Sequence, residues 1–162
     1  MKTRNALIGL AVMVVAVGWY AFRPERLFVN TTVNESLGAV TVAATEVAPA
    51  TLATGVFHSN AHETKGTASV LDVGGGRRVL RLTDFATSNG PDVRVYLVAA
   101  GDVQDEATVK TAGFVELGPM KGNIGDQNYE IPATVDLDQY RTVTIWCKRF
   151  SVNFGSAPLA KS

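Results

Sequence analysis

Two hydrophobic patterns divide the chain. Ala6 to Phe22 runs without a charge, behind a short leader carrying Lys2 and Arg4, and Arg23-Pro24 closes it. From Leu52 onward, short apolar runs alternate with polar residues and are punctuated by Gly, Pro, Asn and Asp. The first pattern predicts one helix that reaches a membrane. As a helix it extends only ~25 Å at 1.5 Å per residue, the short end of what spans a ~30 Å hydrocarbon core. Trp19 and Tyr20 stand at its far end, where amphipathic rings favour the headgroup level, and Pro24 stops the helix just beyond. A cleaved signal peptide is the alternative, with Ala6 to Val15 as its apolar core and Ala16 and Gly18 as the small residues of a cleavage site. Either reading sends the rest of the chain out of the cytoplasm. The layout expected is residues 1–5 as a cytoplasmic N-terminus, 6–22 as a transmembrane anchor or uncleaved signal, 23–50 as a stalk and 51–162 as a folded domain.

The second pattern predicts strands. About eight runs have the required length and β-branched or aromatic content: Leu52 to His58, Gly66 to Val73, Arg77 to Thr83, Asp92 to Ala99, Gly113 to Leu117, Asn128 to Ile131, Thr142 to Cys147 and Phe150 to Phe154. Gly74, Gly75 and Gly76 supply the positive φ of a tight hairpin connection, and Ser88 to Pro91 is a turn cluster. Short strands at this spacing predict an all-β fold, an antiparallel β-sandwich or barrel. Parity then orients the end of the chain. Val143, Ile145 and Cys147 share one face, which points Cys147 inward and Trp146 outward. Phe150, Val152 and Phe154 follow the other parity, so a bulge or a tight turn must fall near Lys148 and Arg149, beside the only thiol.

The 162-residue chain is 46% apolar, enough to build one packed core. Fifteen basic residues balance 15 acidic ones, so no bulk positive field draws a nucleic acid. A single cysteine excludes an internal disulfide framework and any multi-cysteine metal or iron-sulfur site made by this chain alone.

Cys147 has two readings. A free cysteine commonly fills a core as a small hydrophobe. Against that, an unpaired thiol is a liability in an oxidising compartment, and Lys148 and Arg149 beside it favour a thiolate. His58 and His62, four residues apart, are surface or hydrogen-bonding histidines on one reading and haem or metal ligands on the other. Met120, in the loop Leu117 to Gly122, is a soft haem ligand or a cap on the core. Asp126, Asn128 and Asn123 form a partial calcium-loop pattern that lacks its terminal acidic residue, and Asx-turn chemistry explains the same residues. Neither a nucleophile elbow nor a phosphate-binding glycine loop is present, and no acid, base and nucleophile set marks an enzyme.

Several motifs in fixed order carry a resemblance: Gly55-Val56-Phe57, His62 to Gly66, Thr87 to Asp92, Val95-Tyr96-Leu97, Lys121 to Ile131, and Ile145-Trp146-Cys147-Lys148-Arg149-Phe150 ending in Phe154-Gly155. Together they resemble the DM-thirteen domain, the electron-transfer DM family, over about residues 53 to 159. The resemblance implies an all-β fold in an exported, often membrane-tethered setting. It also implies a redox role for a cysteine in a Trp-Cys context, which Cys147 matches, and haem-bearing DOMON domains as companions. No DOMON-like segment fits in this chain, so such a partner is a separate molecule. Three functions follow as expectations: a redox module centred on Cys147, a non-catalytic β-sandwich that binds a ligand or protein, and an enzyme acting alone.

Overall fold

The computed structural model describes residues 2–22, 29–37, 40–42 and 45–162. Helix α1 (Lys2–Phe22) is followed by a small hairpin of β1 (Val40–Val42) and β2 (Thr45–Val47). The domain then runs β3 (Ala50–Val56), β4 (His58–Ser59), β5 (Lys65–Asp72), β6 (Arg78–Ala86), β7 (Val93–Val98), α2 (Glu106–Ala112), β8 (Phe114–Pro119), β9 (Gln127–Ile131), β10 (Thr142–Cys147), β11 (Val152–Pro158) and β12 (Ala160–Lys161). Two five-stranded antiparallel sheets result, ordered β4-β11-β10-β7-β8 and β12-β3-β5-β6-β9. They form a sandwich, not a closed barrel. All eight expected runs carry a strand.

Alternation builds the core, because each strand turns every second side chain to one face. Val95, Leu97, Val143, Ile145 and Ala157 from one sheet meet Ala68, Val70, Leu80, Leu82 and Ile131 from the other, all nearly sealed from solvent. Each large aliphatic side chain so buried contributes ~1.5–3 kcal/mol. The β5–β6 connection uses Gly74, Gly75 and Gly76 at φ of 87°, 64° and 74°, and the Asp72 carboxylate accepts the Gly74 N–H at 2.8 Å. Between β10 and β11 the register break is a turn over residues 148–151 with Ser151 at φ 55°, and a bulge follows between Ile145 and Trp146. Strand β11 therefore starts at Val152, two residues later than expected, and Phe150 stays exposed in the turn.

Two further results differ from expectation. The transmembrane helix is corrected: α1 forms, but among the described residues no helix is long and apolar enough to cross a membrane. Its uncharged stretch is short for the task. Within the 23–50 segment read as a stalk, residues 30–36 lie against the domain. Val33 and Glu35 donate their N–H groups to the carbonyls of Ile124 and Asp126, both at 2.9 Å, and Thr32 bridges Ile124 in parallel. Residues 23–28, at the start of that segment, lie outside the described residues.

Candidate functional site: the Cys147 end of the sandwich

Strand β10 is the central strand of its sheet and all six of its residues are buried. One face, Val143, Ile145 and Cys147, enters the main core. The other is also covered, because the β7–β8 connection folds back with α2 and packs Val103 and Val109 against Tyr96, Val98 and Trp146. Trp146 thus points away from the sandwich interior, as parity requires.

Cys147 closes β10 with 1% of its surface exposed, paired across the sheet with Val93 and Val152. It is a free thiol. The turn begins at the next residue. Lys148 donates its backbone N–H to the Asp92 carbonyl at 2.8 Å, and its Nζ reaches Glu116 Oε2 at 3.1 Å. Arg94 bridges Asp92 at 2.6 Å and Glu116 at 2.9 Å. The positive charge of Lys148 is therefore directed at the outer face, across the sheet from the inward thiol.

An aromatic row crosses that outer face. Phe114 on β8 stacks on Tyr96 of β7, with centroids 4.3 Å apart and planes 2° from parallel. Tyr96 in turn lies 6.4 Å from Trp146 of β10, at 26°. Glu116 is the residue opposite Tyr96 in the β7–β8 register, and burial first, then the negative charge of Glu116, pushes the phenol up to about 12.

The other expected ligands have different work. His58 Nε2 lies 2.8 Å from Asp102 Oδ1. Burial pushes the Asp102 carboxyl up, but hydrogen bonds from His58, Gln104 and the Val103 N–H outweigh it and hold the group below its ordinary value. His62 sets its ring against Phe154, with centroids 3.9 Å apart. Met120 packs against the main core, and its N–H donates to the Val93 carbonyl at 2.9 Å. Two of the three are thus committed to packing and the third to a carboxylate, so they do not fit a haem held by this chain. Among the described residues no group of three or more His, Cys, Asp or Glu is placed to hold a metal ion.

The Lys121–Ile131 motif is structural in its details. Gln127 Oε1 accepts from the N–H groups of Lys121 and Gly122, both at 3.2 Å, and from the Tyr129 hydroxyl at 2.8 Å. Asp126 is held by Arg81 at 2.5 Å and accepts the Asp84 N–H, which leaves turn and docking chemistry, not cation binding, as its role. Gly122 and Gly125 are required because Thr31 and Val33 carbonyls stand where a Cβ would sit, and Gly125 is also at φ 98°.

Tyr96, Phe114, Glu116 and Asp102 were not singled out by sequence. Tyr96 and Glu116 carry a readable signal, since both lie in strands whose parity puts them outward. Pairing them needs the β7–β8 register, which is set by contacts between strands. No curated protein and no solved structure matches the chain. The profile of the family described as Electron transfer DM13 matches residues 56–159, well over half of the sequence. With the motifs of that span accounted for by the sandwich and its Trp146-Cys147 strand, the chain belongs to the electron transfer DM13 family.

Proposed function

We propose that the protein is an electron-transfer module outside the cytoplasm, held at a membrane by α1, in which Cys147 gives one electron to a high-potential acceptor on a separate partner, such as a peroxide-activated haem domain. The observation that carries this reading is the position of the thiol: sealed in the core, yet the last residue before an exposed turn. Burial shields it from thiol–disulfide exchange and from stray oxidants, which need contact with sulfur. Opening of the turn at 148–151 admits water, which takes the S–H proton and leaves a thiolate. The electron then passes to the acceptor and the sulfur is left as a thiyl radical. Membrane attachment is supported by the surface of α1, where Leu7, Leu10, Val14, Val17 and Trp19 are each about 60% exposed or more on different sides of the helix.

Mixing the full chain with a peroxide-activated haem protein and following decay of the activated haem tests the reading. Wild type is expected to accelerate the decay and Cys147→Ser to abolish that acceleration. Equal rates for the two proteins overturn it.

A second reading, a ligand-binding module, is favoured by one cleft. It has a volume of about 300 Å³ and lies at the opposite end of β10, lined by Leu52, Leu137 and Leu159 together with Asp136, Asp138, Arg141 and Lys161. Binding of a small apolar molecule there, with no redox effect of Cys147→Ser, selects this reading.

A further inference from the structure

We infer that the cleft at the opposite end of β10 binds a small apolar α-amino acid, with Arg141 holding its carboxylate, Asp136 its ammonium group and Leu52, Leu137 and Leu159 its side chain. This inference rests on the ligand-binding reading of that cleft and not on Cys147, which lies at the other end of the sandwich.

The floor is apolar because of one irregularity in β3. The register against β5 shifts between Thr51 and Ala53, which leaves Leu52 without a partner in the ladder. A bulge of this kind re-aims the side chain it carries. Leu52 shares the parity of the exposed Thr54 and Val56, yet it packs against the main core, as Leu137 and Leu159 do. All three are only partly buried, so the cleft leaves apolar surface open to a ligand. Its volume of about 300 Å³ is roughly twice the ~150 Å³ cavity that takes up benzene, and it stands at the lower end of the range for small-ligand sites. A side chain the size of leucine or phenylalanine, with the charged groups that it carries, suits that space.

Four charged residues share the lining. Lys161 pairs with Asp138, so those two charges answer each other. Asp136 Oδ1 accepts the Asp138 N–H at 2.8 Å, and the Asp136 carbonyl accepts the Tyr140 N–H at 2.9 Å, which fixes this residue in its turn. Among the described residues no cation bridges its carboxylate. Arg141 is pinned through its backbone: its N–H donates to the Val98 carbonyl at 3.1 Å, and its carbonyl accepts the Leu159 N–H at 2.7 Å. Its guanidinium passes Gly101, where a Cβ would stand 3.3 Å from Nη2. Among the described residues that guanidinium makes no hydrogen bond or ion pair. One charge of each sign is therefore left over beside an apolar floor. A fatty acid would set its head near the Asp136 carboxylate, and an alkylamine would set its head near Arg141. A zwitterion with an apolar side chain meets both, its carboxylate taking the guanidinium fork and its ammonium the carboxylate.

Phenylalanine, phenylpropionate and phenethylamine serve as probes, since they share one ring and carry both charges, only the negative one and only the positive one. Each is titrated into the full chain, by calorimetry and by the amide shifts of Leu52, Leu137 and Leu159. Wild type is expected to bind phenylalanine about tenfold more tightly than either analogue, the scale of one charge-assisted hydrogen bond. Arg141→Gln should weaken phenylalanine by about the same factor without weakening phenethylamine. Asp136→Asn should do so without weakening phenylpropionate. Asparagine keeps the oxygen that accepts the Asp138 N–H, and urea midpoints equal to that of wild type show that both variants fold. Phenylalanine binding that survives both substitutions overturns the inference. Equal affinity for the three probes also overturns it, while shifts confined to the cleft then leave the ligand-binding reading standing. If no probe binds, the inference fails, and toluene decides the reading: shifts of the same three amides keep it, and their absence ends it.

Discussion

Lys121 Nζ lies 2.8 Å from both carboxylate oxygens of Glu35, across 86 residues of sequence. The pair joins the segment before the sandwich to the long β8–β9 connection. Around it, Arg81 donates to the Glu35 carbonyl at 2.9 Å and Glu35 Oε2 accepts the Asn128 N–H at 2.8 Å. Residues 30–36 thus close the outside of the β6–β9 edge, although the family match begins only at residue 56.

Loss of this closure is expected from Gly125→Ala, because the Val33 carbonyl occupies the Cβ position and φ there is 98°. Amide exchange reports it: the Val33 and Glu35 N–H groups should lose protection while the β10 amides keep theirs. Retained protection at both shows that the segment accommodates the methyl group.

Acid should release the same segment. The hydrogen bond from Lys121, opposed by burial and reinforced by Asn128, holds the Glu35 carboxyl below its ordinary value near 4.5. A lowered folded value means that the fold prefers the ionised group. Its contribution is complete above about pH 4.5 and is lost as pH falls through the lower, folded value. Glu35 and Lys121 are 33% and 40% exposed, so solvent screening limits the effect to about 1 kcal/mol or less. Glu35→Gln should remove this acid sensitivity from the Val33 and Glu35 amides. An unchanged pH profile in the variant assigns the sensitivity to another carboxylate.

Parity gives a sharper contrast in stability. Ile145 is fully buried between the sheets, and Ile145→Asp places a charge there with no partner, at a cost of roughly 3–5 kcal/mol. Lys161→Asp loses an ion pair with Asp138 and sets two carboxylates near each other, but both side chains are about 70% exposed, which confines the cost to about 1 kcal/mol. Denaturant melts should separate the two variants clearly, and similar midpoints would mean that the inward parity of β10 is misassigned.

Those strands were legible because each repeats a two-residue pattern against one core. Cys147 inward and Trp146 outward follow from the same arithmetic. Helix α2 was missed although its signals are local: Asp105 caps it by accepting the Thr108 N–H at 2.7 Å, and Gly113 ends it at φ 85°. With only Val109 buried, it has no apolar stripe for a periodicity search to find. The docked segment 30–36 was illegible for a different reason. Its Thr, Val and Asn residues have no period of their own, and its partners at 81 and 121–128 are distant in sequence. The Phe114–Tyr96–Trp146 row falls between these cases, since the facing is readable and the neighbours are not.

The Cys147 thiol is sealed beneath the turn that follows it. At 1% exposure it cannot meet an alkylating agent without an opening, so reaction in the folded protein must be far slower than in the unfolded chain. Two openings compete. Local release of the turn breaks the Lys148 N–H to Asp92 bond and the Lys148–Glu116 pair, exposes little surface and depends weakly on denaturant. Global unfolding exposes the whole core and depends on it as steeply as the melt does. Iodoacetamide labelling across sub-denaturing urea distinguishes the two, with a shallow slope expected, and with Lys148→Ala expected to raise the native labelling rate without lowering the unfolding free energy by more than about 1 kcal/mol. Labelling that follows the global slope from zero denaturant onward would show that the turn does not open on its own. Cys147 would then be a core residue that reacts only when the domain is lost, and the redox role would have to lie elsewhere on the sheet.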